Sequence, residues 1–273
     1  MPPESAMRST RLTVRGWRGA ALAAQLVVVW LVAALIAPRL AAARRSRLAT
    51  RCAVWTLAVL RVRPCVRGAR PLRDGPVLLV ANHVSWLDIY ALNAALGGAR
   101  YVAKREVAHW PIAGRIARGF GTFFHVRGNV RDAARMKDAV AAALRAGERV
   151  VVFPEGTTTE GDAVGRFHAA FLQAAVDSGV PVQPVAIRYP GADGAPDPAA
   201  AFVGDMTFLA SLLRVLRRPR LDARLTFGPV IRSTGRTRRD LAAVSHAFVA
   251  LALAGGRRGA PFRPASVPLP RAA

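Results

Sequence analysis

One histidine and one carboxylate stand five residues apart in an otherwise apolar run, VANHVSWLDIY, residues 80–90. Within one helix, positions five apart lie about 140° around the axis, so His83 and Asp88 would not share a face if both were helical. Ser85-x-x-Asp88 supplies the break. It is a capping-box pattern that starts a helix at Trp86, with Ser85 as N-cap and Asp88 at the third helical position. His83 then sits two residues before the cap, and a carboxylate pointing back toward the helix start reaches its ring. As architecture alone, this is a capping box beside a hydrogen-bonded loop histidine. As chemistry, a neutral imidazole next to an ionised carboxylate is a general base, because the acid fixes the tautomer and stabilises the imidazolium that forms. The helix N-terminus favours the anion at Asp88. With Ser85 taken up by the cap, the hydroxyl to be deprotonated is read as the substrate's, with Ser85 as a nucleophile the alternative left open.

Three further segments bear on what that substrate is. RVVVFPEGTTTEG (149–161) is a buried strand that breaks at Pro154 and opens into Glu155-Gly156-Thr157, where bare backbone and hydroxyls suit an anion. Its plain alternative is an ordinary strand-to-loop turn. GFGTFFHVRG (119–128) ends a strand on Arg127, placed to pair bidentately with a phosphate. Among so many arginines, a solvated surface charge is the competing reading. VPVQPVAI (180–187) is a strand flanked by two prolines, most simply structural.

These four segments, in this order, resemble the glycerolipid acyltransferase family, specifically the 1-acylglycerol-3-phosphate O-acyltransferases (lysophosphatidic acid acyltransferases). The resemblance covers about residues 71–232. Asn82-His83-x-Ser85-x-x-Asp88 looks like the first motif, Gly121-x-x-Phe124-x-x-Arg127 the second, Phe153-Pro154-Glu155-Gly156-Thr157 the third, and Val180-Pro181-Val182-x-Pro184 the fourth. Lys104, in YVAKREVAHWPIAG, matches a segment common between the first two, whereas His125 stands where an aliphatic residue is usual. By resemblance, His83 is the catalytic base and Asp88 its orienting acid, while Arg127, Glu155, Gly156 and Thr157 bind the acceptor. The implied reaction moves a fatty acyl group from acyl-CoA or acyl carrier protein to 1-acylglycerol-3-phosphate, giving phosphatidic acid, with no metal or other cofactor. The alternatives are transfer to another lysolipid such as lyso-ornithine lipid, or a membrane-bound thioesterase that uses the same pair on water.

The elements that must position these residues follow from periodicity. Short β-branched runs at 76–81, 100–103, 122–126, 149–153, 182–187 and 223–227 read as strands. Helical patterns at 86–96, 107–118, 131–145, 168–178 and 206–217 lie between them, and a last helix covers 238–254. Such alternation predicts an α/β domain with a largely parallel or mixed sheet flanked by helices, over residues 71–254. Its active site belongs at strand ends.

Ahead of it, residues 19–37 read GAALAAQLVVVWLVAALIA, without a charge. As a helix this covers roughly 28 Å, the thickness of the hydrocarbon layer. A cleaved signal peptide would share the basic start and the small-residue run at 41–43, but its apolar core is shorter, about 7 to 15 residues. The arginine-edged apolar segment 47–62 reads as a second helix lying in the headgroup layer. Residues 19–65 are therefore expected to form a two-helix membrane anchor, with residues 1–18 and 255–273 disordered and Met7 an alternative start.

Arginines crowd both ends of the apolar helix, and the positive-inside rule places the catalytic body on the cytoplasmic side of the inner membrane. Membrane lipids, a lysolipid and the acyl thioester are then its partners. The chain carries 40 basic against 16 acidic residues, net +24 over 273 residues, nearly all as arginine. Such a charge suits anionic lipid. It is spread through the chain with no zinc-finger or RNA-binding signature, so nucleic acid is not a partner. Two cysteines, Cys52 and Cys65, support neither a disulfide framework nor a metal site.

Overall fold

The computed structural model describes residues 19–126 and 128–256. Seven strands form one mixed sheet: β1 (Val62–Gly68), β2 (Val77–Ala81), β3 (Arg100–Lys104), β4 (Phe123–His125), β5 (Arg149–Val152), β6 (Val182–Arg188) and β7 (Leu221–Phe227). Their spatial order is β1-β7-β6-β2-β5-β3-β4. Every neighbouring pair is parallel except β6 with β7. The helices are α1 (Gly19–Arg39), α2 (Ala42–Leu60), α3 (Leu87–Leu96), α4 (Arg105–Ala108), α5 (Ala113–Gly119), α6 (Val130–Arg145), α7 (Gln173–Ser178), α8 (Phe208–Arg217) and α9 (Arg238–Gly256).

β2 is the centre of the molecule. All five of its residues are buried, as expected of a parallel strand covered on both faces. Val77, Leu79 and Ala81 pack with α1, α2, α3 and α8 on one side. Leu78 and Val80 face the opposite way, against α6, α7 and α9. The two cores thus follow from strand alternation in a single apolar run.

Three expectations about boundaries are corrected. The sheet reaches back to Val62, before the expected domain start near Pro71, because β1 pairs with β7 from Val62↔Leu221 to Gly68↔Phe227. With Pro64 and three arginines in or beside it, β1 does not read as a strand. It is tolerated because it lies at the sheet edge. The helix expected over 107–118 breaks into α4 and α5 around Pro111, which cannot donate to a continuing ladder. At the C-terminus, α9 runs on through Gly256; the rest of the expected tail, like residues 1–18, lies outside the described residues.

The two-helix anchor is corrected as well. Among the described residues, one helix, α1, is long and apolar enough to cross a membrane. α2 instead buries Ala49, Cys52, Ala53, Thr56, Leu57 and Leu60, and its Leu57 and Leu60 join the core beneath α3. α1 itself is docked along one stripe: Leu22, Gln25, Val29, Ala33 and Ala37 are buried at a spacing of three to four residues. Gln25 Nε2 donates to Thr56 Oγ1 at 2.6 Å. A side chain at Gly119 of α5 would place Cβ 2.0 Å from the Ala33 carbonyl oxygen, so this helix crossing requires glycine. The opposite face of α1, with Val27, Val28, Leu31, Leu35 and Ile36, is exposed.

Candidate active site

Because β6, β2, β5, β3 and β4 run parallel, their C-terminal ends share one edge of the sheet. That edge carries Asn82-His83 after β2, Phe153 to Glu155 after β5, Lys104 at the end of β3, His125 at the end of β4 and Tyr189 after β6. Strand ends in open α/β sheets are where ligands bind.

Asn82 fixes how the chain leaves β2. It is fully buried and behaves as an extra rung of sheet: its Nδ2 donates to Ile187 O at 2.9 Å, and its Oδ1 accepts from Ile187 N at 2.7 Å. His83 follows, with both backbone groups held by the loop after β5. Its N–H donates to Glu155 Oε1 at 2.9 Å, and its carbonyl accepts from Thr159 N at 2.8 Å. The imidazole stacks on Phe153 at 4.0 Å between ring centres and 12° between planes. Its Nδ1 lies 2.8 Å from Asp88 Oδ2.

Asp88 is completely buried, and both of its oxygens are occupied. Oδ2 also accepts from Val84 N at 2.7 Å and Ser85 N at 3.0 Å, and Oδ1 accepts from the Tyr189 hydroxyl at 2.7 Å. Burial, the neighbouring Asp88 charge and that hydrogen bond all push the Tyr189 phenol well above its ordinary range, so it remains a donor. An acceptor-only carboxylate surrounded by donors makes His83 Nδ1 the protonated nitrogen. Nε2 is left as the acceptor, without a hydrogen-bond partner among the described residues, on a side chain 21% exposed. This is the geometry of a general base.

The capping box is corrected in one half. α3 has Trp86 as its N-cap with no side-chain cap bond, and Ser85 Oγ is buried with no partner among the described residues. Asp88 does reach back to the backbone ahead of the helix, and the two residues this brings together, His83 and Asp88, are the expected pair.

Glu155, expected to bind acceptor, faces the other way. Its two oxygens accept from His83 N and from Gly165 N at 2.7 Å, so it clamps the base to the following loop. A Cβ on Gly165 would lie 2.9 Å from Glu155 Oε2. The Gly156 amide is likewise taken, donating to Phe153 O at 3.0 Å. Thr157, the third residue of that expectation, is exposed. Arg127 lies outside the described residues. Its flanks are ordered by Asp132, which accepts from Val126 N at 2.6 Å, and by the α6 N-cap Asn129. His125, the unusual residue of that segment, packs edge-on against Phe171.

Burial raises the Glu155 carboxyl above its ordinary 4.5, and the two backbone amides only partly offset this. A raised folded-state value stabilises the protein most below about 4.5, and that contribution is lost as pH rises through the folded value. Glu155→Gln keeps the shape but turns an amide NH₂ toward one backbone donor. It is expected to be less stable than wild type by about 1–3 kcal/mol at low pH. The gap should narrow as pH rises, because the variant does not titrate. Denaturant melts at several pH values measure it; a gap that widens with pH contradicts this assignment.

Tyr189 is the site residue that sequence reasoning missed. Nothing local marks it: it follows an apolar strand and meets Asp88 only because β6 lies beside β2. Phe153 was visible within its motif, but its stacking on His83 was not.

The Acyltransferase family pattern matches residues 63–188. A lyso-ornithine lipid O-acyltransferase of Pseudomonas aeruginosa is 42% identical over 180 residues, covering 66% of this chain and 69% of that protein. Another from Rhodobacter capsulatus is 38% identical over 200 residues, covering 71% of each. A 1-acyl-sn-glycerol-3-phosphate acyltransferase of Neisseria meningitidis is 36% identical over 160 residues, 58% of this chain and 62% of that one. The crystal structure of the LPA acyltransferase PlsC from Thermotoga maritima superposes with a TM-score of 0.66 at 20% identity, over 94% of this chain and 99% of that one, a likeness of fold. With its fold and these relatives in agreement, the chain belongs to the Acyltransferase family.

Proposed function

We propose that the protein transfers a fatty acyl group from an acyl thioester to the free hydroxyl of a lysolipid, with lyso-ornithine lipid as the preferred acceptor. The observation that carries acyl transfer is the open Nε2 of His83, backed by the buried Asp88. His83 Nε2 takes the proton from the acceptor hydroxyl as its oxygen bonds to the thioester carbonyl carbon. The carbonyl π pair moves to oxygen. The oxyanion then collapses, the C=O bond re-forms, the C–S bond breaks, and the thiolate takes the proton back from the imidazolium. Asp88 stabilises that imidazolium. The acyl group passes directly to the acceptor, with no acyl-enzyme.

The choice of acceptor rests on the relatives. Those named as lyso-ornithine lipid O-acyltransferases include the two with the higher identity and coverage given above. Lysophosphatidic acid, the acceptor expected first from the motifs, becomes the second reading, supported by the Neisseria relative. Arg127 suits either, since a guanidinium pairs bidentately with carboxylate as with phosphate. The apolar free face of α1 supports a membrane location, with the catalytic domain on the cytoplasmic side where acyl-CoA or acyl carrier protein delivers the donor.

The test is an acyl-transfer assay of the purified enzyme with both lysolipids and both thioester carriers. Transfer to the ornithine acceptor is expected to be the more efficient. Arg127→Lys, which keeps charge but loses the fork geometry, should weaken it several-fold, and Arg127→Ala further. Transfer to lysophosphatidic acid alone would overturn the acceptor assignment. Release of free fatty acid in place of diacyl product would overturn transfer itself.

A further inference from the structure

Large apolar side chains are not exposed evenly on this molecule. Among the described residues, the layer formed by α6, α7 and α9 exposes only Val130 and Leu251. The other side exposes many, and besides those on α1 and α2 and Val66 of β1, four collect at one place. On α8, Leu209 is 62% and Leu213 45% exposed, while Ser211 and Val215 on its inner face are buried. Beside α8, the turn between α4 and α5 exposes Trp110 at 36% and Ile112 at 50%. The two elements touch: the Trp110 ring lies 6.4 Å from Phe208 of α8. A single exposed leucine needs no explanation, but a contiguous apolar rim does.

We propose that this rim, α8 together with the Trp110–Ile112 turn, docks on the surface of an anionic lipid bilayer and seats the catalytic edge there. Three observations select a bilayer as the occupant. First, the apolar residues are bordered by exposed cations, Arg214 and Arg217 on α8 and Arg115 and Arg118 on α5. An apolar stripe edged by arginine is the composition of a helix lying in a headgroup layer. Second, the rim continues into a surface long and apolar enough to enter a membrane: α5, which starts at this turn, packs through Gly119 on Ala33 of α1, and α1 presents its free apolar face alongside. Third, the rim is joined to the base. Trp86 Nε1 donates to Ser211 Oγ of α8 at 3.0 Å, and its ring packs on Phe208 at 5.0 Å. Trp110 also meets Phe202 at 6.5 Å, whose amide donates to Val84 O at 3.0 Å, next to His83. Aromatic residues of the rim are therefore tied to the turn that carries His83, through Trp86 and through the Phe202 amide.

The inference deepens the acyl-transfer reading, and its kinetic arm rests on that reading. The experiment uses the full chain in two arms. In the first, amide hydrogen exchange is followed with vesicles of phosphatidylcholine alone or mixed with phosphatidylglycerol. Protection of the α8 segment and the 109–113 turn is expected with the anionic vesicles, with α6 and α9 unchanged. In the second arm, Leu209→Asp/Leu213→Asp is compared with wild type on acceptor held in vesicles and on acceptor dispersed in detergent. Both positions are exposed, so folding should persist, checked by circular dichroism. Activity on vesicle-borne acceptor should fall about tenfold or more, the effect of withdrawing two leucines from apolar contact. Activity on dispersed acceptor should stay within about twofold.

An equal loss on both acceptors, or exchange in α8 unchanged by anionic vesicles, overturns the proposal. So does conversion of a dimer to a monomer by the double variant with vesicle protection intact, since the occupant is then a second copy of the chain. If wild type transfers no acyl group even in detergent, the functional reading fails while the exchange arm still reports on docking.

Discussion

Replacing His83 by alanine is expected to reduce acyl transfer by about 10²- to 10⁴-fold, the range for loss of a general base. The loss should fall on kcat, with acceptor KM little changed, because the backbone of His83 serves the architecture while its ring is the proposed base. The N–H and C=O bonds to Glu155 and Thr159 survive the substitution. The ring is partly exposed, and its removal takes away one stack on Phe153 and one bond to Asp88. Folding should therefore persist, while Asp88 keeps three of its four donors. Steady-state kinetics on a variant with a native-like melting curve is the measurement. Transfer within a few-fold of wild type would remove His83 from the mechanism.

Asp88→Asn should have an effect of similar order, for a different reason. An amide cannot accept at both ends, so its NH₂ must face either the Tyr189 hydroxyl or the cluster of His83 Nδ1, Val84 N and Ser85 N. Toward the cluster it confronts donors. Toward Tyr189 it leaves a neutral oxygen beside His83, which can no longer stabilise an imidazolium. A decrease of roughly 10²- to 10⁴-fold in kcat is expected.

Tyr189→Phe separates charge from placement. Removing one donor concentrates negative charge on the carboxylate and raises the basicity of His83, so the acid limb of kcat/KM should move to higher pH. The maximal rate should change far less than in Asp88→Asn. Tyr189 is in this sense a positioning residue, and a purely structural one would leave the pH profile where it was. An unmoved limb with a lowered rate would return it to the core.

Much of the site was legible without coordinates because it is local. His83 and Asp88 lie within one strand-to-helix turn, and five residues of backbone are enough to join them. The sheet was legible for a related reason: a strand covered on both faces must be apolar throughout, so β2 and β5 announce themselves as VLLVA and RVVV.

What depended on tertiary structure is what one segment does to another. Ser85 is the plainest example, an excellent N-cap by type whose Oγ has no partner among the described residues, because the Asp88 amide it would serve donates to the Ser85 carbonyl at 3.1 Å instead. Glu155 sits in a loop whose composition suits an anion, yet its carboxylate turns inward, since the His83 and Gly165 amides need acceptors in a site buried from water. Tyr189 is separated from Asp88 by 101 residues, and only the pairing of β6 with β2 brings them together. The same holds for the N-terminal helices. Their apolar composition alone is satisfied by lipid or by protein, and it took the packed stripe of α1 and the core contacts of α2 to decide between them. Sequence thus determined the histidine–aspartate pair and the strands that carry the site. Which polar groups turn inward, and which apolar faces stay exposed, was decided by partners far away in the chain.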